Sequence, residues 1–201
     1  QDSGLIDEVL ISDGGSHDDT TDLAQDLNFE VVAGPPGRGA QLQRGALKAR
    51  GEWFLFLHSD TILEAQWLFA VEEFICQRSN GERAAAFRFT LDDKDPRARR
   101  LENAVAWRCA KFGLPYGDQG LLMSRQFYRR VGGYRDLPLM EDVDMVRRIG
   151  RRRLCMLPIS ARTSAIRYQL EGYWRRPARN LLCLGLYYLG IPPGQIAKVY
   201  E

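Results

Sequence analysis

Three short acidic stretches carry the residue types that chemistry would need. The first is Asp13-Gly14-Gly15-Ser16, running on into His17-Asp18-Asp19-Thr20. The second is His58-Ser59-Asp60-Thr61. The third is Glu141-Asp142, followed by Val143-Asp144. A carboxylate such as Asp13 at a strand end can accept hydrogen bonds from a nucleobase imide or a ribose hydroxyl. Gly14 and Gly15 would let the backbone approach such a ligand closely. The same residue types also make an ordinary strand-to-helix turn. Asp18 offers either a second ribose contact or a helix cap. Asp60 is the best metal candidate, because Mg²⁺ and Mn²⁺ take hard oxygens, often one or two carboxylates completed by substrate phosphates. His58 either reaches that ion through a water or packs, and packing is the expectation. Glu141 and Asp142 are adjacent, so on a helix they point apart: one can face a site while the other braces it. A pair of acids in a first helical turn also suits the macrodipole with no further role.

Other residues are secondary candidates. Arg38 lies in the loop Gly34-Pro35-Pro36-Gly37-Arg38-Gly39, ahead of a helix, where backbone N–H groups and a guanidinium can meet a diphosphate. A solvent-exposed loop arginine is an equal reading. In Tyr116-Gly117-Asp118-Gln119-Gly120, the glycines Gly117 and Gly120 permit close approach of a sugar, and Asp118 and Gln119 can hydrogen-bond its hydroxyls; a plain turn is the alternative. Trp107 either stacks on a sugar or packs into the core, the commoner fate. The arginine clusters at 147–153 and at 175, 176 and 179 suit phosphate, or simply cationic helix ends.

The elements that must position these residues alternate. Strands are predicted over Val9–Ser12, Phe29–Ala33 and Trp53–Leu57, the last without polar alternation, as in a strand buried on both faces. Helices are predicted over Thr20–Leu27, Ala40–Ala49 and Leu68–Gln77, the first capped by Asp18 or Asp19. This β-α-β-α-β-α order predicts a doubly wound, mostly parallel but mixed sheet with helices on both faces, in one domain. Ligands of such sheets bind beyond the carboxyl ends of strands, where Asp13 and Asp60 fall. The second half is less regular: strands over Ala85–Leu91, Gly120–Ser124 and Leu154–Ile159, and helices over Pro96–Lys111, Gln126–Val131, Glu141–Arg148 and Gly172–Leu189. The series opens on what corresponds to the second strand of a nucleotide-binding half, so a leading strand and helix are expected before it.

The 201 residues, 45% hydrophobic and 27% charged, suit one globular domain across 1–201. Its nucleotide-binding half is about 1–90 and its acceptor half about 91–201. Residues 1–90 hold 7 Lys and Arg against 15 Asp and Glu, a net of −8, whereas residues 91–201 hold 21 against 11, a net of +10. An acidic half suits a bound cation; a basic half suits a phosphorylated acceptor or a lipid surface. The small overall charge and the lack of any recognised module argue against nucleic acid. Cys76, Cys109, Cys155 and Cys183 form no CxxC pair, which suits packing roles and a reducing, cytoplasmic setting. The apolar run near Leu181–Ile191 is short of the roughly 20 residues a span needs. It suits core packing, a homodimer contact or peripheral membrane association.

Taken together, the three stretches resemble glycosyltransferase family 2. Asp13–Thr20 is similar to its D-G-x-S-x-D-x-T stretch, His58–Thr61 to its D-x-D metal motif and Glu141–Asp142 to its E-D catalytic motif; the likeness runs from about Asp7 to the C-terminus. The nearest subgroup is that of radical-SAM/selenodomain-associated transferases. The sequence departs from the pattern at His58, which replaces the first acid of D-x-D. The resemblance implies a GT-A fold, a nucleotide site at Asp13, Gly14, Gly15, Ser16, Asp18, Arg38 and Ser59, and a divalent metal (Mn²⁺ or Mg²⁺) at Asp60 with His58. It implies Asp142, with Glu141, as the general base of an inverting transfer from a UDP-sugar to an unknown hydroxyl on a lipid-linked or phosphorylated acceptor. The alternatives are a nucleotidyltransferase on a similar sheet and a non-catalytic nucleotide-sugar-binding module. All of this requires Asp13, Asp60 and Asp142 to converge on one cavity.

Overall fold

The computed structural model describes residues 4–200. The first units alternate as expected: β1 (Leu10–Asp13), α1 (Thr20–Asp26), β2 (Glu30–Ala33), α2 (Arg38–Lys48) and β3 (Trp53–Phe56). Then come β4 (Thr61–Leu63), α3 (Trp67–Cys76), β5 (Ala84–Leu91), α4 (Pro96–Phe112), β6 (Leu121–Ser124), α5 (Arg125–Arg130), α6 (Glu141–Ile149) and β7 (Leu154–Thr163). Three short helices end the chain: α7 (Ile166–Glu171), α8 (Arg175–Tyr188) and α9 (Pro193–Tyr200).

The fold class is the expected mixed α/β one, with less parallel pairing than the alternation suggested. β1 and β2 form a parallel pair of their own, and the other five strands run in the order β3-β6-β5-β7-β4. Only β5 and β7 are parallel in that sheet; β3–β6, β5–β6 and β4–β7 are antiparallel. The reason lies in β6 and β4, which reverse direction between the longer units. β3 is an edge strand, so only Phe54 among its residues is buried, not the whole run. β5 is the buried centre: Ala84, Ala85, Ala86 and Phe87 have no solvent exposure. Small alanines there let α3 close over one side through Val71 and Phe74. On another side Phe54, Phe127, Tyr128 and Tyr134 form an aromatic core, with Phe54 and Tyr128 edge-to-face at 5.4 Å.

Several local expectations are corrected. The helix expected over Gly172–Leu189 is α8, which starts only at Arg175; Gly172 (φ 96°) instead ends α7, a helix not expected, with its N–H on the Tyr168 carbonyl. The run Leu181–Leu189 splits by face: Cys183 and Leu184 are buried while Leu181, Leu182 and Leu189 are exposed, Leu189 at 81%. Among the described residues no helix is long and apolar enough to cross a membrane. Trp107 is not core; it lies 62% exposed on α4, edge-on to Phe112. Cys76 is exposed, although Cys109 and Cys183 are buried as packing residues should be.

Candidate functional site

Strand register gathers the site. Phe56 of β3 pairs with Leu121 of β6, antiparallel, so the residues leaving β3 lie beside those entering β6. That sets His58 against the 3₁₀ turn Gly117–Gln119. The fit is close: a β-carbon on Gly117 would stand 2.5 Å from His58 Nε2. Thr61 of β4 pairs with Thr163 of β7, and the Ser164 N–H donates to the Asp60 carbonyl at 3.3 Å. The end of β7 therefore meets Asp60. Thr163 Oγ1 bonds the Asp118 carbonyl at 3.3 Å and lies 3.1 Å from Thr61 Oγ1, joining the two turns.

α6 supplies the fourth part. Asp142 in its first turn accepts the Gly117 N–H at Oδ2 (2.9 Å) and the Val143 N–H at Oδ1 (2.6 Å). The preceding Met140 is buried with φ 65°, a left-handed conformation that costs a non-glycine residue on the order of 1 kcal/mol or more. Packing of Leu139, Met140 and Val143 against Cys183, Leu184 and Ile196 holds it there. Asp144 is structural: it pairs with Arg148 (2.6 Å) and Arg135 (3.1 Å).

The result is a cleft of about 780 Å³, mouth included. Arg38, His58, Asp60, Gly117, Asp118, Glu141 and Asp142 all line it. Seven of the fifteen residues proposed from sequence thus meet in one place. Arg38 is the first residue of α2 rather than a loop residue, and makes no ion pair among the described residues. His58 is half-buried; burial, then the Arg38 charge, lowers its pKa, so it is neutral at pH 7. That favours packing on Gly117 over a charged role. Asp118 has a buried Oδ1 with no hydrogen-bond partner among the described residues. Burial, with Asp142 and Asp60 adding to it against Arg108, raises its pKa to about 6. Glu141 is 2% exposed with an unpartnered Oε2, and burial followed by the Asp142 charge raises it to about 7.

The remaining proposed residues lie elsewhere. Asp13 does not line the cleft, so the expected convergence of three acids on one cavity holds for Asp60 and Asp142 only. Its carboxylate is taken up by its own turn, accepting from Ser16 Oγ (2.5 Å) and the N–H groups of Gly15 (2.9 Å) and Ser16 (3.1 Å). The Ser16 hydroxyl, then the Gly15 N–H, lower its pKa. Gly14 packs on Gln41, and Gly15, with φ 96°, closes the turn. The β1 end is still a neighbour of Arg38, because Gln41 on α2 bonds Ser12 in both directions (2.6 and 2.9 Å). Asp18 is exposed and binds Thr20 Oγ1 (2.5 Å) and N–H (3.2 Å), while Asp19 stands at the cap position without a side-chain bond. Ser59 is exposed and outside the lining. Gln119 is corrected from ligand to scaffold: it is 1% exposed, donates to the Phe87 carbonyl (2.9 Å) and accepts from Arg108 and Tyr116. Gly120 is likewise a packing glycine, its missing side chain leaving room for Phe87.

Sequence reading missed one side of the cleft. Ser164, Arg167, Tyr168, Asn180 and Tyr200 line it together with Arg176, all from the end of β7 and the last three helices. Arg176 had stood out only as part of a cationic cluster. No local pattern sets the others apart; the reversal of β4 against β7 brings them in.

The oxygen chemistry of Asp60, Asp118 and Asp142 suits a hard divalent ion. Among the described residues no group of three or more His, Cys, Asp or Glu side chains is placed to hold a metal alone. A partial set is what a nucleotide-bound Mg²⁺ or Mn²⁺ needs, since phosphates complete its shell.

Solved structures share this fold. Glucosyl-3-phosphoglycerate synthase from Mycobacterium tuberculosis in complex with phosphoglyceric acid is 20% identical, with a TM-score of 0.57 over 94% of this chain and 71% of its own. The same enzyme in complex with Mn²⁺, uridine-diphosphate-glucose and phosphoglyceric acid is 21% identical, with a TM-score of 0.57 over 94% and 70%. Mannosyl-3-phosphoglycerate synthase from Rubrobacter xylanophilus is 18% identical, with a TM-score of 0.58 over 93% and 66%. No curated protein sequence matches the chain. The family model described as glycosyl transferase family 2 matches residues 1–131, which carry Arg38, His58, Asp60, Gly117 and Asp118. The chain belongs to glycosyl transferase family 2 and is a glycosyltransferase.

Proposed function

We propose that this enzyme moves a sugar from a UDP-linked donor to an acceptor hydroxyl with inversion at the anomeric carbon. The observation that carries the reading is Asp142, fixed by the Gly117 N–H in the same cleft as Asp60 and Arg38. Arg38 supplies an unpaired guanidinium for the diphosphate. The β1 end beside it, with Asp13, is the side from which the base and ribose would be held. Asp118 offers its unpartnered oxygen to a hydroxyl of the donor sugar. Asp142 takes the proton from the acceptor hydroxyl. That oxygen attacks the anomeric carbon from the face opposite the diphosphate, the carbon–oxygen bond to the diphosphate breaks, and its electron pair leaves with UDP. A divalent cation with Asp60 among its ligands would supply neutralising charge to the departing diphosphate. Glu141, buried behind Asp142, is a positioning residue in this scheme.

The test is calorimetry with UDP, GDP and CDP, with and without Mn²⁺, alongside turnover. UDP should bind best and only with the metal. Asp142→Asn should keep UDP binding and lose roughly 10²–10⁴-fold in kcat, the range of a removed general base. Full turnover by Asp142→Asn would remove the base assignment. Pyrophosphate release from a nucleoside triphosphate and a sugar phosphate would establish a nucleotidyltransferase instead.

A further inference from the structure

The cleft has a second character on the side built by α7, α8 and α9. Arg176 and Arg179 share one carboxylate, Glu171: Arg176 Nη1 is 2.7 Å from Oε1, and Arg179 bonds Oε2. Two guanidiniums on one carboxylate leave a surplus positive charge. Arg167 adds another, being exposed and without an ion pair among the described residues. Tyr200 accepts Arg176 Nη2 at 3.3 Å, which fixes the guanidinium in the lining. Three buried polar atoms here have no partner among the described residues, Arg176 Nε, Arg179 Nε and Asn180 Oδ1, and of these residues Arg176 and Asn180 line the cleft. Such atoms are costly to leave unpaired, so an orphan donor and an orphan acceptor in one lining point to a ligand. The acids do not use this surplus, since no ion pair joins Asp60, Asp118, Glu141 or Asp142 to Arg167 or Arg176 among the described residues.

We infer that Arg167 and Arg176, with Asn180, form a subsite for an anionic acceptor, a hydroxyl compound bearing a phosphate monoester. This rests on the transferase reading above for calling the ligand an acceptor; the anion site itself stands on the arginines alone. The guanidiniums hold the phosphate, Asn180 Oδ1 accepts a hydrogen bond from a hydroxyl of the ligand, and the hydroxyl to be glycosylated faces Asp142. Without these cations, an anion would be repelled by the charged carboxylates of the cleft.

The experiment titrates the full chain with glycerol 3-phosphate and with glycerol, each with and without UDP and Mn²⁺ at saturation, and with vesicles of phosphatidic acid or phosphatidylcholine. Glycerol 3-phosphate or phosphatidic acid vesicles should bind where glycerol and phosphatidylcholine do not; which one binds tells a soluble phosphate ester from a lipid-borne one. Arg167→Gln, at an exposed position that leaves the fold intact, should weaken that binding roughly tenfold or more and leave UDP affinity within about twofold. Arg176→Lys, keeping charge but losing the fork, should weaken it less. The inference is overturned if the phosphate probes bind no better than their neutral partners, if UDP displaces them competitively, or if Arg167→Gln weakens UDP instead. If UDP fails to bind while the phosphate ester still does, the donor reading falls and the anion site remains.

Discussion

The two sides of the cleft are built by different means. Main-chain geometry sets the acidic side. The pairing of Phe56 with Leu121 and of Thr61 with Thr163 fixes where His58, Asp60 and Asp118 stand, and a backbone N–H fixes Asp142. Side chains set the basic side: Glu171 clamps Arg176 and Arg179, and Asp93 ties down α7 through Gln169 and the link into α8 through Tyr173. Residues placed by a sheet ladder move only if the sheet does, whereas residues placed by a carboxylate clamp respond to single substitutions. The chemical step and the choice of acceptor can therefore vary independently. The sides do touch: α8 and α9 cover the strained Met140 that aims Asp142, and the Ser164 N–H donates to the Asp60 carbonyl.

The sharpest way to break this contrast is to disturb the main-chain side with one methyl group. Gly117→Ala places a carbon 2.5 Å from His58 Nε2 and 2.8 Å from its Cε1. Either the ring or the turn must move, and a moved turn takes the Gly117 N–H away from Asp142. Displacement of about 1 Å can cost on the order of 100-fold in rate. Steady-state kinetics should show kcat lowered by roughly 10–100-fold, with phosphate-ester binding on the basic side unchanged. Normal kcat would mean that His58 yields freely and the acidic side is not rigidly set.

A smaller effect comes from Glu141. Burial and the Asp142 charge lift its carboxyl to about 7 from an ordinary 4.5. An acid raised on folding keeps its proton in the folded state. Its favourable contribution is therefore complete below about pH 4.5 and is lost as pH rises through about 7. Glu141→Gln removes that loss, which is at most on the order of 3 kcal/mol. Calorimetric Tm should rise by several degrees at pH 8 and change little at pH 5. A Tm gain of equal size at both values would show that the carboxyl is not the source.

The same contrast explains what was legible. Acids at strand and helix ends are few, and their motifs announced Asp60, Asp118 and Asp142 along with nearly every long element. β4 was missed because three residues after His58-Ser59-Asp60 carry no periodicity. The use of Gln119 inside the protein was hidden for another reason: a glutamine in a glycine turn looks the same whether it faces a sugar or the Phe87 carbonyl. Asp13 was read as a nucleotide contact with a plain turn as the alternative, and its own turn occupies the carboxylate. Of the basic side only Arg176 was legible, and only as one of a cationic cluster. Twenty-one of the 28 Lys and Arg lie beyond residue 90. Only the tertiary path through Gly172 selects Arg167 and Arg176 from that crowd.

The smallest expected effect tests how the basic side is held. Asp93 is lowered to about 2 by hydrogen bonds from Gln169 first and then Tyr173. The Gln169 bond is 2.9 Å. An acid lowered on folding contributes stability above its unfolded value, near 3.8, and loses it as pH falls through about 2. The group is solvent-accessible, so the contribution at neutral pH is slight. Asp93→Asn keeps an accepting oxygen but not the charge. At pH 7, hydrogen exchange should speed up in α7 and the first turn of α8 while α6 stays as protected as before. The Tm difference from the wild type should close as pH is taken from 4 toward 2. If α6 loosens equally, the two sides open as one unit, and the independence drawn from their construction does not hold.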